Sequence, residues 1–224
     1  MDFVAEIGLN YNGNLNLAFE MIRQAKLCGA NVAKFQLGWR SAEGDLNHLT
    51  TQDIHEIKEY CGHIGIELMF SIITDEALQM IEGIDFDRLK IASRTVVDNP
   101  NLCKEILNKG KETYVSLGMW DSSNLPFSEY TNVNYLWCKS KYPTRKPDMV
   151  TFPVEFSKNK YYGYSDHSLG ISYCLMAISR GAKYIEKHFT LNKSNNSIRD
   201  HVLSADPSEF RLLVDLGREI SLNI

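Results

Sequence analysis

His167 and His188 stand 21 residues apart, in frames that read Tyr164-Ser165-Asp166-His167 and Glu186-Lys187-His188-Phe189-Thr190. A short helical pattern separates them. This layout fits two successive parallel strands, each with a histidine at its C-terminal tip. Two neighbouring imidazoles there can hold a divalent metal. The plainer alternative is a pair of structural histidines, each satisfied by its own hydrogen bond, and the residues alone leave both open. Asp166 could orient a histidine or bind a metal itself.

The elements that must position these residues alternate between two periods. Strand-like runs are expected at 3–9, 32–37, 67–72, 88–92, 113–117, 133–138, 161–165 and 184–187. Helical spacing is expected at 15–27, 51–61, 75–84, 100–107, 171–179 and 207–220. Thr50 or Thr51 can cap the second helix, and Pro100 falls in a first turn, where its missing N–H costs little. The stretches 120–132 and 147–156 are polar or irregular, and a full helix is not expected in either. Eight β units in strict order predict a single-domain (β/α)8 TIM barrel over residues 1–224. An open doubly wound sheet is the rival, but it would more often show a Gly-rich first turn, which is absent.

Composition narrows the function classes. A net charge of -4 gives no basic footprint for nucleic acid. No apolar run approaches the ~20 residues of a membrane span. Phe3 and Val4 already belong to a strand, so no signal peptide is expected. Cys28, Cys61, Cys103, Cys138 and Cys174 are scattered, which suits reduced thiols in or near the core of a cytoplasmic protein.

In such barrels the active site lies at the C-terminal ends of the strands. Reading each strand to its end collects Glu6, Asn10 and Asn12, then Lys34 and Gln36, Ser71, Lys90 and Ser93, Ser116, Ser140 and Tyr142, Ser165, and Glu186 with His188. The last loop adds Arg199, Asp200 and His201. Lys34, Lys90 and Lys187 interrupt apolar strands, which is costly unless each is paired or faces an anion. With the serines they could cradle a phosphorylated or carboxylated small molecule. They could equally pair with core acids, for instance Lys187 with Glu6 or Glu186. The serines taken singly could be helix caps. Trp39, Trp120 and Trp137 read as packing residues, and His48, His55 and His63 as surface residues.

These residues sit in a recognisable pattern. The stretches are Ala5-Glu6-Ile7-Gly8-Leu9-Asn10-Tyr11-Asn12-Gly13, Ala33-Lys34-Phe35-Gln36, Lys90-Ile91-Ala92-Ser93, Ser116-Leu117-Gly118-Met119 and Tyr142-Pro143-Thr144. They continue with Gly163-Tyr164-Ser165-Asp166-His167-Ser168-Leu169-Gly170, Glu186-Lys187-His188-Phe189-Thr190, and Asp200-His201 before Ser204-Ala205-Asp206-Pro207. In this order the chain resembles the catalytic barrel of the N-acetylneuraminate (sialic acid) synthase family. The resemblance implies a transferase that condenses phosphoenolpyruvate with an open-chain N-acyl-hexosamine or related aldose. The product would be a nonulosonic 2-keto acid, with phosphate released. It implies His167 and His188 as ligands of Mn2+ or Mg2+. Lys90, Ser93, Ser116, Ser140, Tyr142 and Ser165 would hold substrate, with Asn10 beside them. Glu6, Lys34, Gln36 and Asp200 would act near the sugar and the metal. A homodimer is implied as well.

Four departures stand out. Arg94-Thr95 replaces the family's usual Gly-Glu, and Ser140 an asparagine. Ser71-Ile72-Ile73 replaces Ser-Thr-Pro, and Tyr11 a histidine. The family's C-terminal antifreeze-like domain, which supplies a sugar-binding arginine, is not expected in these residues. A dimer swapped through that domain is therefore not expected either. Arg94, at the barrel mouth, could stand in for the missing arginine or could merely pair with a surface acid, and both readings stay open. Two other readings stay open: a non-catalytic, ligand-binding homologue, and a metal-assisted aldolase or lyase that uses pyruvate.

Overall fold

A computed structural model describes residues 1–158 and 160–223. Eight strands follow one another in chain order: β1 (Asp2–Gly8), β2 (Val32–Leu37), β3 (Glu67–Ile72), β4 (Arg88–Ile91), β5 (Glu112–Ser116), β6 (Val133–Trp137), β7 (Gly163–Asp166) and β8 (Tyr184–His188). Each pairs in parallel with the next, and β8 pairs with β1, so the sheet closes into a barrel. The chain is thus a (β/α)8 TIM barrel, as its alternating periods predict.

Local signals account for most helices. In α1 (Leu15–Leu27) the Asn14 side chain accepts from the Leu17 N–H. Thr50 and Asp53 form a capping box on α2 (Thr51–Ile64), which stops at Gly65 with φ of 72°. Next come α3 (Asp75–Met80), α4 (Ser93–Asp98) and α5 (Pro100–Asn108). After β7 lies α6 (Ser172–Ser179), and after β8 come α7 (Asp200–Leu203) and α8 (Pro207–Leu222), the last with an Asp206–Glu209 capping box. Among the described residues no helix follows β5, and β6 is followed only by a 3-10 turn at Lys146–Met149. This matches the weak helical patterning of 120–132 and 147–156. The short helices α4 and α7 are additions to the sequence reading, since one or two turns carry too little periodicity to register. No helix among the described residues is long and apolar enough to cross a membrane.

Period two sorts every strand into an outer and an inner face. Outward residues such as Phe35, Phe70, Val115 and Ile185 pack under the helices. Inside, Val4, Val32, Met69, Tyr114, Leu136 and Tyr184 form an apolar plug, with Tyr114 and Tyr184 stacked at 4.2 Å. Gly163 makes room for this layer: a Cβ there would come within 2.2 Å of the Tyr184 carbonyl oxygen. Below the plug, Arg88 bridges Asp2 and Glu67, both at 2.5 Å. Above the plug the inner face turns polar, and there the site begins.

Two expectations fail because of strand parity. Lys187 neither enters the barrel nor pairs with Glu6 or Glu186. It lies between the inward residues Glu186 and His188, so it points outward. There it meets Asp166 at 2.9 Å, and both side chains are fully buried. Asp166 is outward for the same reason. It accepts from the Tyr164 hydroxyl at 2.6 Å and the Ser168 N–H at 2.7 Å, and touches neither histidine ring. The pair is a structural brace between β7 and β8, not part of a cradle or a metal shell.

Candidate active site

Every residue expected to serve substrate, metal or chemistry, except Asn10, lines one cavity of about 140 Å³ at the C-terminal mouth of the barrel. The register explains the convergence. Glu6 lies opposite both Lys34 and His188, Ser71 opposite Lys90, and Ser165 opposite Glu186. All are inward positions above the apolar plug, with His188 one step higher on β8 than Glu186. Asn10 is the correction. Its amide donates to the Phe189 carbonyl at 2.8 Å and to Ser204 Oγ at 3.0 Å. It therefore braces the loop after β8 from the side, because β1 ends before it and the chain has already turned away from the mouth.

The floor is an alternating charge network. Lys34 Nζ sits 2.6 Å from Glu6, 3.6 Å from Glu186 and 2.9 Å from Ser71 Oγ. Lys90 Nζ donates to Ser116 Oγ at 2.7 Å and lies 3.8 Å from Glu186. Glu186 also accepts from Ser165 Oγ at 2.8 Å and from the Tyr184 hydroxyl at 3.0 Å. All of these side chains are buried, so each charge persists only because of its neighbours. Burial pulls the Lys34 ammonium toward neutrality, but Glu186 and Glu6 outweigh it and hold the group above its usual range. For Lys90 burial wins over the more distant Glu186, and the ammonium titrates below its usual range. Burial raises the Glu186 carboxyl, yet Lys34 and Lys90 overcome that and keep it ionised.

Above this floor the rings of His167 and His188 lie 5.5 Å apart. His167 Nδ1 is 2.6 Å from the Lys139 carbonyl oxygen. That contact makes Nδ1 the protonated nitrogen and leaves Nε2 as a free lone pair. Burial and the neighbouring His188 lower the His167 pKa to about 4, so the ring is neutral at neutral pH. The buried Nδ1 of His188 and Oδ1 of Asp200 have no hydrogen-bond partner. Imidazole nitrogens and an unsatisfied carboxylate oxygen in one cavity are the donor types a divalent ion accepts. Among the described residues no three His, Cys, Asp or Glu side chains come together at metal-ligand spacing. The donor set that fits is therefore the imidazole pair, with Asp200 lining the same cavity.

The pKa of His167 has a measurable consequence. As pH falls from 6.5 toward about 4, the unfolded chain takes up a proton that the folded chain refuses. Stability is therefore full above the unfolded value and is lost through that window, by about 3 kcal/mol in total. In metal-free denaturant titrations, His167→Asn should flatten the stability slope between those pH values by about one proton. An unchanged slope would place the titration elsewhere.

The loop after β6 sets the roof. The Thr144 N–H donates to the His167 carbonyl oxygen at 2.8 Å, and the Tyr142 ring rests 4.3 Å from His167. The Arg199 guanidinium lies 4.2 Å from the centroid of the same Tyr142 ring. At β4, Ser93 Oγ accepts from the Gly118 N–H at 2.9 Å and touches Cys138 Sγ at 3.2 Å. Thr95 is buried in α4 and does not line the cavity, so no acid replaces the family's usual one there.

Some lining residues carried no assigned role in the sequence reading. Glu186 is the main one; its signal was its place two residues before His188, on the same face of β8. Arg199 and Cys138 are others. Trp39, expected to pack, is 43% exposed at the mouth. Trp137 is buried and Trp120 half-buried, as expected. His48, His55 and His63 are exposed, and all five cysteines are buried and unpaired.

A parallel barrel with a buried lysine–carboxylate–serine floor beneath two imidazoles defines a scaffold built to hold a small molecule. The chain belongs to the NeuB family, whose model matches residues 44–224. An uncharacterised protein of Methanocaldococcus jannaschii is 33% identical over 95% of this chain and 68% of its own length. N,N'-diacetyllegionaminic acid synthase of Legionella pneumophila is 30% identical over 96% of this chain and 71% of its own. Human N-acetylneuraminate-9-phosphate synthase is 29% identical over 98% and 69%. Among solved structures, an N-acetylneuraminic acid (sialic acid) synthetase of Leptospira borgpetersenii, in complex with citrate, superposes with a TM-score of 0.87. It is 30% identical, and the match covers 99% of this chain and 84% of that one.

Proposed function

We propose that the chain condenses phosphoenolpyruvate with an open-chain N-acyl-hexosamine or related aldose, giving a nonulosonic 2-keto acid and phosphate. The observation that carries this reading is the floor itself: two buried lysines and several serine hydroxyls converge below the imidazole pair. A compact, doubly anionic donor suits such a floor, because buried cations and hydroxyls offset its charges. The names of the synthase relatives support the same class of reaction.

In this reading Lys90, Ser93, Ser116, Ser140, Tyr142 and Ser165 hold phosphoenolpyruvate. Burial raises the Tyr142 phenol far above its usual range, so it stays a hydrogen-bond donor. His167 and His188 hold Mn2+ or Mg2+, and Gln36 and Asp200 face the sugar. A divalent ion, when bound, polarises the aldehyde oxygen. Carbon three of the donor then bonds to the aldehyde carbon, and that oxygen takes up a proton. Water adds at carbon two, and Glu6, poised beside Lys34, accepts its proton. The carbon–oxygen bond to phosphate breaks, releasing phosphate and leaving the 2-keto acid. Five free thiols suit a reducing, cytoplasmic setting.

The test is a panel assay with Mn2+, phosphoenolpyruvate, N-acyl-hexosamines and pentoses, reading 2-keto acid and phosphate together. Equimolar formation of both, dependent on the aldose, is expected. Turnover with pyruvate but not phosphoenolpyruvate would indicate an aldolase. Binding of donor and metal without turnover of any aldose would indicate a ligand-binding homologue.

A further inference from the structure

Trp39 stands exposed at the cavity mouth, and its place there is set by residues beneath it. Both of its chain neighbours have left-handed backbone: φ is 86° at Gly38 and 51° at Arg40. For an arginine that conformation is unfavourable and persists only where the surroundings enforce it. The enforcing residue is Asn47, buried in the connection between β2 and α2. Its Nδ2 donates to the Gln36 carbonyl oxygen at 2.8 Å and to the Trp39 carbonyl oxygen at 2.9 Å. Its backbone N–H donates to the Arg40 carbonyl oxygen at 3.1 Å. Asn47 is fixed in turn by Tyr11, whose hydroxyl donates to Asn47 Oδ1 at 2.7 Å.

Tyr11 itself lies outside the cavity lining. Its ring is buried, edge-on to Phe35 at 5.8 Å, so only the hydroxyl reaches toward the mouth loop. It is also a position where this chain departs from the family pattern, so its role belongs to this chain. Gln36 is held at both ends: Asn47 binds its carbonyl, and its side-chain amide donates to Glu6 Oε1 at 2.7 Å. An exposed indole above such an amide suits a sugar, which offers C–H faces to the ring and hydroxyls to polar groups. We propose that Trp39 packs against the open-chain aldose beside Gln36, and that Tyr11 is the positioning residue that holds both through Asn47. The aldose as ligand rests on the synthase reading; the relay from Tyr11 to Trp39 stands apart from it.

Tyr11→Phe removes one hydroxyl and keeps the packed ring. With the aldose that the panel assay identifies, its acceptor KM should rise about tenfold, while the KM for phosphoenolpyruvate stays within about twofold. Trp39→Ala should raise the acceptor KM at least as far, and adding Tyr11→Phe to it should change that KM by less than about threefold, since both act on one contact. Fluorine NMR of the full chain carrying 5-fluorotryptophan reads the relay without turnover. The Trp39 signal, assigned with Trp39→Phe, should shift or broaden in Tyr11→Phe while those of Trp120 and Trp137 hold. A KM rise shared equally by both substrates, fully additive effects, or an unmoved Trp39 signal would overturn the proposal. So would loss of the folded spectrum in Tyr11→Phe, which would make Tyr11 a stability residue only. If no aldose turns over, the synthase reading fails, and the Trp39 signal still decides the relay: a selective change sustains it, and an unchanged signal sinks it.

Discussion

Glu186→Gln should cost about 3–5 kcal/mol of folding stability, the range for breaking one partner out of a buried ion pair. For a chain of this size that shifts the thermal midpoint down by roughly 10 °C. The reason lies in the floor network. Glu186 is the counter-charge of Lys90 and a second one for Lys34. The amide keeps the shape but leaves the Lys90 ammonium buried and unopposed, so Lys90 sheds its proton more readily. Its folded pKa, already below the usual value, then drops further below that of the unfolded chain. Between the two values the unfolded chain binds more protons, so stability rises with pH. The deficit of the variant should therefore shrink toward pH ~10, where the unfolded lysine also becomes neutral. Adding Lys90→Met should restore most of the loss, since a buried pair replaced by apolar atoms is often neutral. Denaturant midpoints across pH for the single and double variants check this. A deficit independent of pH, with no rescue, would mean that Glu186 matters for shape instead of charge.

The sequence shows that a charged floor exists, but not how it is wired. Strand order, barrel closure and the inward serines all follow from period two and the eight alternating units. Lys34, Lys90 and Lys187 look alike in the sequence, since each interrupts an apolar strand. One residue of parity separates them: Lys34 and Lys90 share a face with Val32 and Arg88 and point in, whereas Lys187 shares a face with Ile185 and points out. Resolving that requires the exact register, and strand ends are the least certain part of any sequence reading. Glu186 went without a role for a related reason. An acid beside a lysine and a histidine reads locally as a salt-bridge partner, and only closure of the barrel brings Lys34 and Lys90 from two other strands around it. Asn10 erred in the opposite direction. Its motif is local, but its side chain is spent on Phe189 and Ser204, residues far along the chain.

The metal proposal gives the second large effect, and strand parity supplies its control. His188→Ala and His167→Ala each remove one of the two imidazoles, and each should weaken Mn2+ binding by more than about 100-fold. Loss of an outer-shell partner alone already costs about 10–100-fold. Turnover should fall by about 10³-fold, since polarising a carbonyl is worth several kcal/mol. Asp166→Asn makes the opposite prediction. Asp166 is the neighbour of His167 in sequence, so an outer-shell role would lower Mn2+ affinity by the 10–100-fold quoted above. Its carboxylate instead faces Lys187, Tyr164 and Ser168 on the far side of the strand. Mn2+ affinity in Asp166→Asn should therefore stay within about twofold of wild type, while stability falls because Lys187 loses its buried partner. Calorimetry of Mn2+ binding alongside denaturant midpoints separates the two quantities. Full Mn2+ affinity in both histidine variants would remove the ion from this pair. Lost affinity in a well-folded Asp166→Asn would return the aspartate to the metal shell, and the strand parity argued above would then be wrong at β7.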